Sequence, residues 1–185
     1  GKTRVITYKI IYLINQGINP REILALTFTN KAAREMEARV NSLLPKSSRG
    51  VLLTTFHSLG LKILKEQITK IGYKEKFSIY DEKDVQKMLK DILSELKIAE
   101  DKYDVYNLTF KISLIKMNLQ TKIDDDELKK IYKKYEETLK LYNALDFDDL
   151  IKLPIEIFEK FPEVLEHYQK KWKYILVDEY QDTSL

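Results

Sequence analysis

The stretch YILVDEYQDTS at residues 174–184 decides how this chain is read. Tyr174, Ile175, Leu176 and Val177 are apolar or aromatic with no polar alternation, the pattern of a fully buried strand. Two carboxylates, Asp178 and Glu179, follow where that strand runs out. Open α/β sheets bind ligands just beyond the carboxyl ends of their strands. A pair of acids there suits a metal–phosphate site, one holding Mg²⁺ and the other handling an attacking water. A strand that merely ends in a polar turn gives the same two letters, so the pair needs support from elsewhere in the chain.

That support stands at the opposite end. The sequence opens Gly1-Lys2-Thr3, the tail of G-x-x-x-x-G-K-[ST]. In that loop backbone N–H groups cradle phosphates, the lysine reaches the β- and γ-phosphates, and the hydroxyl binds Mg²⁺. Ile6, Ile10, Leu13 and Ile14 then recur at helical spacing, with Gly17 as the stop. Lys2 and Thr3 would open a helix whose dipole also favours phosphate. The first glycine of the pattern and the strand before it are not in the sequence, which reads as a piece cut inside its nucleotide site.

Composition narrows the class. With 185 residues, 44% of them hydrophobic, the chain can fill one good core or two small ones. No apolar run approaches the ~20 residues that span a bilayer, and no secretory signal is visible. The absence of Cys removes disulfides and thiolate metal sites and fits a reducing interior. His57 and His167 are too far apart in sequence to suggest a metal motif. Charge is unevenly spread: residues 1–80 carry +9, residues 81–145 carry −1 and residues 146–185 carry −5. A basic first segment and an acidic last one are expected if one binds a polyanion and the other a metal.

In chain order, residues 23–28 (ILALTF) predict a buried strand running into Thr29, Asn30 and Lys31. Thr29 or Asn30 caps a helix with Met36, Val40 and Leu43 on its apolar face. Phe28 suits ordinary core; beside Thr, Asn and Lys at a strand end it also suits stacking on a nucleobase. Residues 51–55 predict a third strand, followed by Phe56, His57 and Ser58 and another helix. Hydroxyls at strand ends are good phosphate contacts without sequence preference. From about residue 80 the texture changes. Asp81 caps a helix carrying Val85, Leu89, Ile92 and Leu96, a second helix covers 107–118, and a third starts near 124–126. No strand pattern appears over 81–145, which reads as an all-helical insertion between β/α segments. Its lysine pairs at 129–130 and 133–134 read as a solvated face, with contact to DNA the alternative. Residues 146–150 (DFDDL) return the chain to a helix that Pro154 should kink or break, and a last helix runs from near Pro162 to Lys171.

Taken together, GKTR at 1–4, LALTFTNKAAREM at 24–36, TTFHSLGLKIL at 54–64, LDFDDLI at 145–151 and ILVDEYQDTS at 175–184 resemble the N-terminal half of a superfamily 1 DNA helicase of the UvrD/PcrA/Rep type. The resemblance covers nearly the whole chain, in order. It implies an α/β fold: a RecA-like P-loop NTPase domain, its parallel sheet flanked by helices, at 1–80 and 146–185, interrupted by an all-helical 1B-type insertion at 81–145. It implies ATP and Mg²⁺ as ligands, with Gly1, Lys2, Thr3 and Arg4 around the nucleotide and Thr3 and Asp178 on the metal. Glu179 would orient or activate the attacking water, and Gln181 would sense the γ-phosphate or relay to the DNA side. Phe28, Thr29, Asn30 and Lys31, with Thr55, Phe56 and His57, would contact single-stranded DNA. The expected parent is an ATP-driven, 3′–5′ DNA translocase and helicase of repair or replication, acting on single strands and single-strand/duplex junctions. It would be cytoplasmic and nucleoid-associated, with repair or replication proteins as possible partners. Alternatives are the motor half of a helicase–nuclease and a nucleotide-dependent regulatory module without productive hydrolysis. With the second motor domain and its arginines outside the sequence, the piece alone is expected to have negligible ATPase and no unwinding.

Overall fold

The apolar run at residues 23–27 becomes the central strand of a parallel sheet in the computed structural model, which describes residues 2–119 and 125–178. In chain order the elements are α1 (Lys2–Asn15), β1 (Ile23–Thr27), α2 (Asn30–Leu43), β2 (Leu52–Thr55), α3 (Phe56–Gln67), β3 (Ser78–Ile79) and α4 (Glu82–Glu95). They continue with α5 (Val105–Lys116), α6 (Asp126–Leu141), β4 (Ala144–Leu145), α7 (Asp149–Lys160), α8 (Pro162–Lys171) and β5 (Tyr174–Val177). The chain divides into two compact units, residues 1–62 with 157–185, and residues 63–156.

In the first unit the strand order is β2-β1-β5, all parallel. Every residue of β1 is buried, as the apolar run Ile23 to Leu26 ahead of Thr27 requires of a strand covered on both faces. Ile23 and Ala25 join Ile10 of α1 and Met36 and Val40 of α2 in one core, while Leu24 and Leu26, pointing the other way, are buried as well. The register sets Thr27 beside Thr55 and Leu26 beside Val177, so three strand ends finish level with one another. At the end of α8, Trp172 is buried and its ring stacks on Tyr168 at 5.4 Å.

Two expectations for this unit need correction. β5 is not fully buried: Tyr174 and Leu176 reach the α1–α2 core, but Ile175 on the other face is 57% exposed. β5 is an edge strand of the described sheet, with β1 alone beside it. Leu43, expected on the apolar face of α2, is exposed as the last residue of that helix.

The second unit is built from helices α4, α5 and α6 around Leu89, Ile92, Leu108, Ile112, Ile131 and Leu139. Each helix start is capped by an aspartate. Asp81 and Asp84 form a reciprocal capping box on α4, Asp104 caps α5 and Asp125 caps α6. One feature departs from an all-helical reading of 81–145: Ala144–Leu145 pairs in parallel with Ser78–Ile79. Two residues carry no period that a sequence could display. Their pairing is organised by Asn143 at φ +50°, whose side chain accepts from the Lys74 N–H (2.9 Å) and donates to the carbonyls of Lys74 (3.2 Å) and Lys76 (2.9 Å).

Pro154 neither ends nor divides α7, which runs continuously from Asp149 to Lys160. The proline removes one backbone donor, but the apolar residues Leu150, Leu153 and Ile157 are all buried, and that burial outweighs one lost hydrogen bond. Among the described residues no helix is long and apolar enough to cross a membrane.

Candidate functional site

The two ends of the sequence meet. Thr3, in the first turn of α1, donates from Oγ1 to Oδ2 of Asp178, directly after β5, at 2.9 Å across 175 positions of chain. Asp178 is 1% exposed, and its backbone N–H donates to the carbonyl of Leu26, which ties the acid to the end of the central strand. The first turn of α1 is anchored in turn by buried Thr7, whose hydroxyl donates to the Thr3 carbonyl at 2.9 Å.

The second carboxylate oxygen of Asp178, Oδ1, is buried and has no hydrogen-bond partner among the described residues. An unpaired carboxylate oxygen in a dry site is costly unless something cationic or donating completes it. A hard cation satisfies that requirement, since Mg²⁺ takes oxygen ligands and is held by one or two protein oxygens together with substrate phosphates. Thr3 and Asp178 therefore fit the group. Gly1, the side chain of Lys2, Glu179 and Gln181 lie outside the described residues. Arg4 is exposed, with its guanidinium against Tyr8 at 3.4 Å from the phenol oxygen.

The other two strand ends carry the second group of residues. Phe28 after β1 and Phe56 after β2 bring their rings to 5.3 Å at a tilt of 40°, so the register of the sheet joins two distant motifs in one aromatic pair. Thr29 caps α2, accepting from the Ala32 N–H at 3.1 Å, and leaves Asn30 and Lys31 exposed on the first turn. The amino end of that helix directs its dipole outward, a setting that favours phosphate. Thr55 is buried: its Oγ1 accepts from the Ser58 N–H (3.1 Å) and shares a hydrogen bond with the Ser58 hydroxyl (2.9 Å). Its role in this arrangement is to begin α3. The hydroxyl that remains at the surface is that of Ser58, beside exposed His57. The sequence places Ser58 at this strand end but gives the DNA contact to Thr55, because nothing there distinguishes a capping hydroxyl from a free one.

A second group received no functional role from the sequence, although the stretch 145–151 that holds two of its members was noted there. In the unit 63–156, Lys116 is 1% exposed, and its Nζ lies 2.9 Å from Asp146, 2.9 Å from Asp149 and 3.1 Å from Glu136. The Tyr135 hydroxyl donates to Asp146 at 2.6 Å, and Asp146 and Asp149 each accept from the other's backbone N–H. Burial pushes both aspartates up. For Asp146 the Lys116 charge and the donors around it prevail and hold the acid below its usual range. Asp149 also feels the negative charge of Asp146 and is pushed up to about 7. In the same unit a cleft of about 300 Å³ beside Tyr80 and Asp146 bears the exposed rings of Tyr106, Phe110 and Phe147.

Comparison with known proteins gives this geometry a context. Residues 1–185 match the family described as UvrD/REP helicase N-terminal domain. The chain is 41% identical over 194 aligned residues to a protein of Staphylococcus epidermidis named ATP-dependent DNA helicase PcrA. It has the same identity, over the same aligned length, to the protein of that name in Staphylococcus aureus. Both alignments take in 100% of this chain and 27% of the relative, so the chain spans about a quarter of the length of these relatives. Matched along its whole length, this chain belongs to the UvrD/REP helicase N-terminal domain family.

Proposed function

We propose that this chain is the first motor domain of an ATP-dependent DNA helicase, whose parent couples ATP hydrolysis to 3′–5′ movement along single-stranded DNA and to duplex unwinding in repair or replication. The observation that carries the reading is the hydrogen bond from Thr3 to Asp178, with a second, unpaired carboxylate oxygen buried beside it. Residues 1–80 and 146–185 form the RecA-like P-loop segments in this proposal, and residues 81–145 the 1B-type insertion. The compact units divide instead at 62/63 and 156/157, within α3 and α7.

Phosphoryl transfer is mainly positioning and charge neutralisation. Lys2, with the amides of Gly1 and Arg4 nearby, would hold the β- and γ-phosphates of ATP at the start of α1. Mg²⁺, bound through Asp178 and the Thr3 hydroxyl, would neutralise phosphate charge. Glu179 would orient the attacking water and accept its proton, and Gln181 would report the γ-phosphate to the DNA side.

Phe28 and Phe56 offer stacking faces, while Thr29, Asn30, Lys31 and His57 reach phosphates, and Thr55 positions their loop. The exposed rings at the 63–156 cleft suit the same stacking. Backbone and stacking contacts do not depend on base identity, as movement along any sequence requires. Such a protein would work in the cytoplasm on the nucleoid.

The test is ATP hydrolysis by the full-length parent, with and without a single-stranded oligonucleotide, beside its Glu179→Gln variant. Strong stimulation that the variant loses supports a DNA-coupled motor. Nucleotide binding without stimulated turnover moves the reading to a regulatory module.

A further inference from the structure

A second cavity, of about 510 Å³, lies in the unit 1–62 with 157–185. Its walls come from the segments that lead into the three parallel strands: the 3-10 turn Pro20–Glu22 before β1, the loop before β2 and the end of α8 before β5. Thr29, Thr55 and Asp178 stand at the far ends of those strands, so this cavity belongs to the opposite edge of the sheet.

Four cations from four segments converge on it, namely Arg21, Arg49, Lys62 and Lys171, with Glu37 as the single acid among the lining residues. None of the four has a carboxylate within ion-pair distance among the described residues. Their neighbours differ: Lys170 is paired with Glu166 at 2.8 Å and Lys173 with Glu22 at 3.1 Å. Gly50 sits at φ +135°, and a Cβ there would stand 3.0 Å from Cγ of Arg21, so a side chain at this position would push the loop carrying Arg49 away from Arg21.

Beneath the charges the floor is apolar, formed by Val40, Leu53 and Trp172. The Trp172 ring already stacks on Tyr168 and has the Lys171 ammonium 5.0 Å from its centre. The cavity therefore lacks the free aromatic platform on which a nucleobase would stack. Unpaired cations around an apolar floor complement carboxylates followed by an apolar anchor.

We infer that this cavity is a docking site for an acidic peptide segment of a partner protein, ending in an aliphatic or aromatic anchor. The inference does not depend on the helicase reading.

The test is fluorescence anisotropy of this chain with a labelled hexapeptide of four aspartates followed by leucine and phenylalanine. Three comparisons accompany it: the same peptide ending in two serines, labelled oligothymidylate, and two double variants of the protein. Arg49→Glu with Lys62→Glu turns the lining charge from +3 to −1, and both positions are exposed, so circular dichroism should be unchanged. Lys130→Glu with Lys133→Glu makes the same change of charge in the unit 63–156. Exposed pairs are individually weak, but reversing two of them replaces attraction with repulsion, so the first variant should weaken the acidic peptide by about tenfold or more. The second should leave it within about twofold, and the serine-ended peptide should bind the unaltered chain more weakly. Equal losses in the two variants, or equal binding of the serine-ended peptide, would overturn the assignment. So would oligothymidylate binding that falls with Arg49 and Lys62 while the peptide does not bind.

Discussion

Replacing Lys116 by methionine tests the buried cluster most directly. The side chain is fully buried among Asp146, Asp149 and Glu136, and among the described residues it is the only cation within 3.1 Å of all three. Methionine fills similar space with an apolar chain, so the packing loss is small and the electrostatic loss dominates. Removing one partner from a buried ion cluster costs about 3–5 kcal/mol, because the remaining charges stay desolvated without compensation. Domains of this size have a total stability of ~5–15 kcal/mol, so the variant folds marginally. The sign of its pH dependence follows from the same geometry. Lys116 opposes the effect of burial on Asp146 and Asp149; without it Asp146 loses the charge that holds it down, and Asp149, already pushed up to about 7, rises further. Groups raised in this way add stability that is present below the unfolded pKa and lost as pH rises through the folded value. The deficit should therefore be largest near pH 8 and smaller by about 1–2 kcal/mol near pH 5. Urea denaturation followed by circular dichroism at both pH values measures it. A loss below about 1 kcal/mol at pH 8, or a deficit that grows on acidification, would refute the reasoning.

Asp149→Asn should flatten the pH dependence of the parent chain. Burial, then the charge of Asp146, raises Asp149 from 3.8 to about 7, so its contribution to stability falls as pH rises between those values. The interval corresponds to at most about 4 kcal/mol, read from urea midpoints across the range, and an unchanged slope in the variant would count against it. Asp81→Ala removes the capping box of α4 and should cost about 1 kcal/mol, with Asp84→Ala adding little once Asp81 is gone. Phe28→Ala should weaken oligothymidylate binding by about tenfold with an unchanged salt dependence, since a stacking face is lost and no phosphate contact. A loss accompanied by a shallower salt slope would assign Phe28 to holding the loop rather than to the bases.

Much of the architecture was legible because local chemistry and tertiary demand agree. The run at 23–27 has no polar residue before Thr27 and became the central strand. Asp81 with Asp84, and Pro162 ahead of an apolar-spaced segment, start helices where local hydrogen bonding and fixed φ favour them. Where the two levels conflict, the packed structure prevailed. Pro154 lies inside a helix whose apolar residues are buried, Leu43 is exposed at a helix end, and Asn143 recruits a two-residue strand too short to have a period.

The chemical types at the candidate site were determined by the sequence alone: a hydroxyl at Thr3, a carboxylate at Asp178, aromatic rings at Phe28 and Phe56, because residue identity needs no fold. Their meeting was decided by the tertiary structure. The parallel register brings Thr27 level with Thr55 and Leu26 level with Val177, and only then do residues 175 positions apart come to 2.9 Å. The same holds for Lys116, one lysine among many along the chain, which long-range packing alone enclosed among three carboxylates. Spacing along a chain specifies neighbours within a helix or a strand, whereas contacts across a sheet depend on which strands pair and in what register.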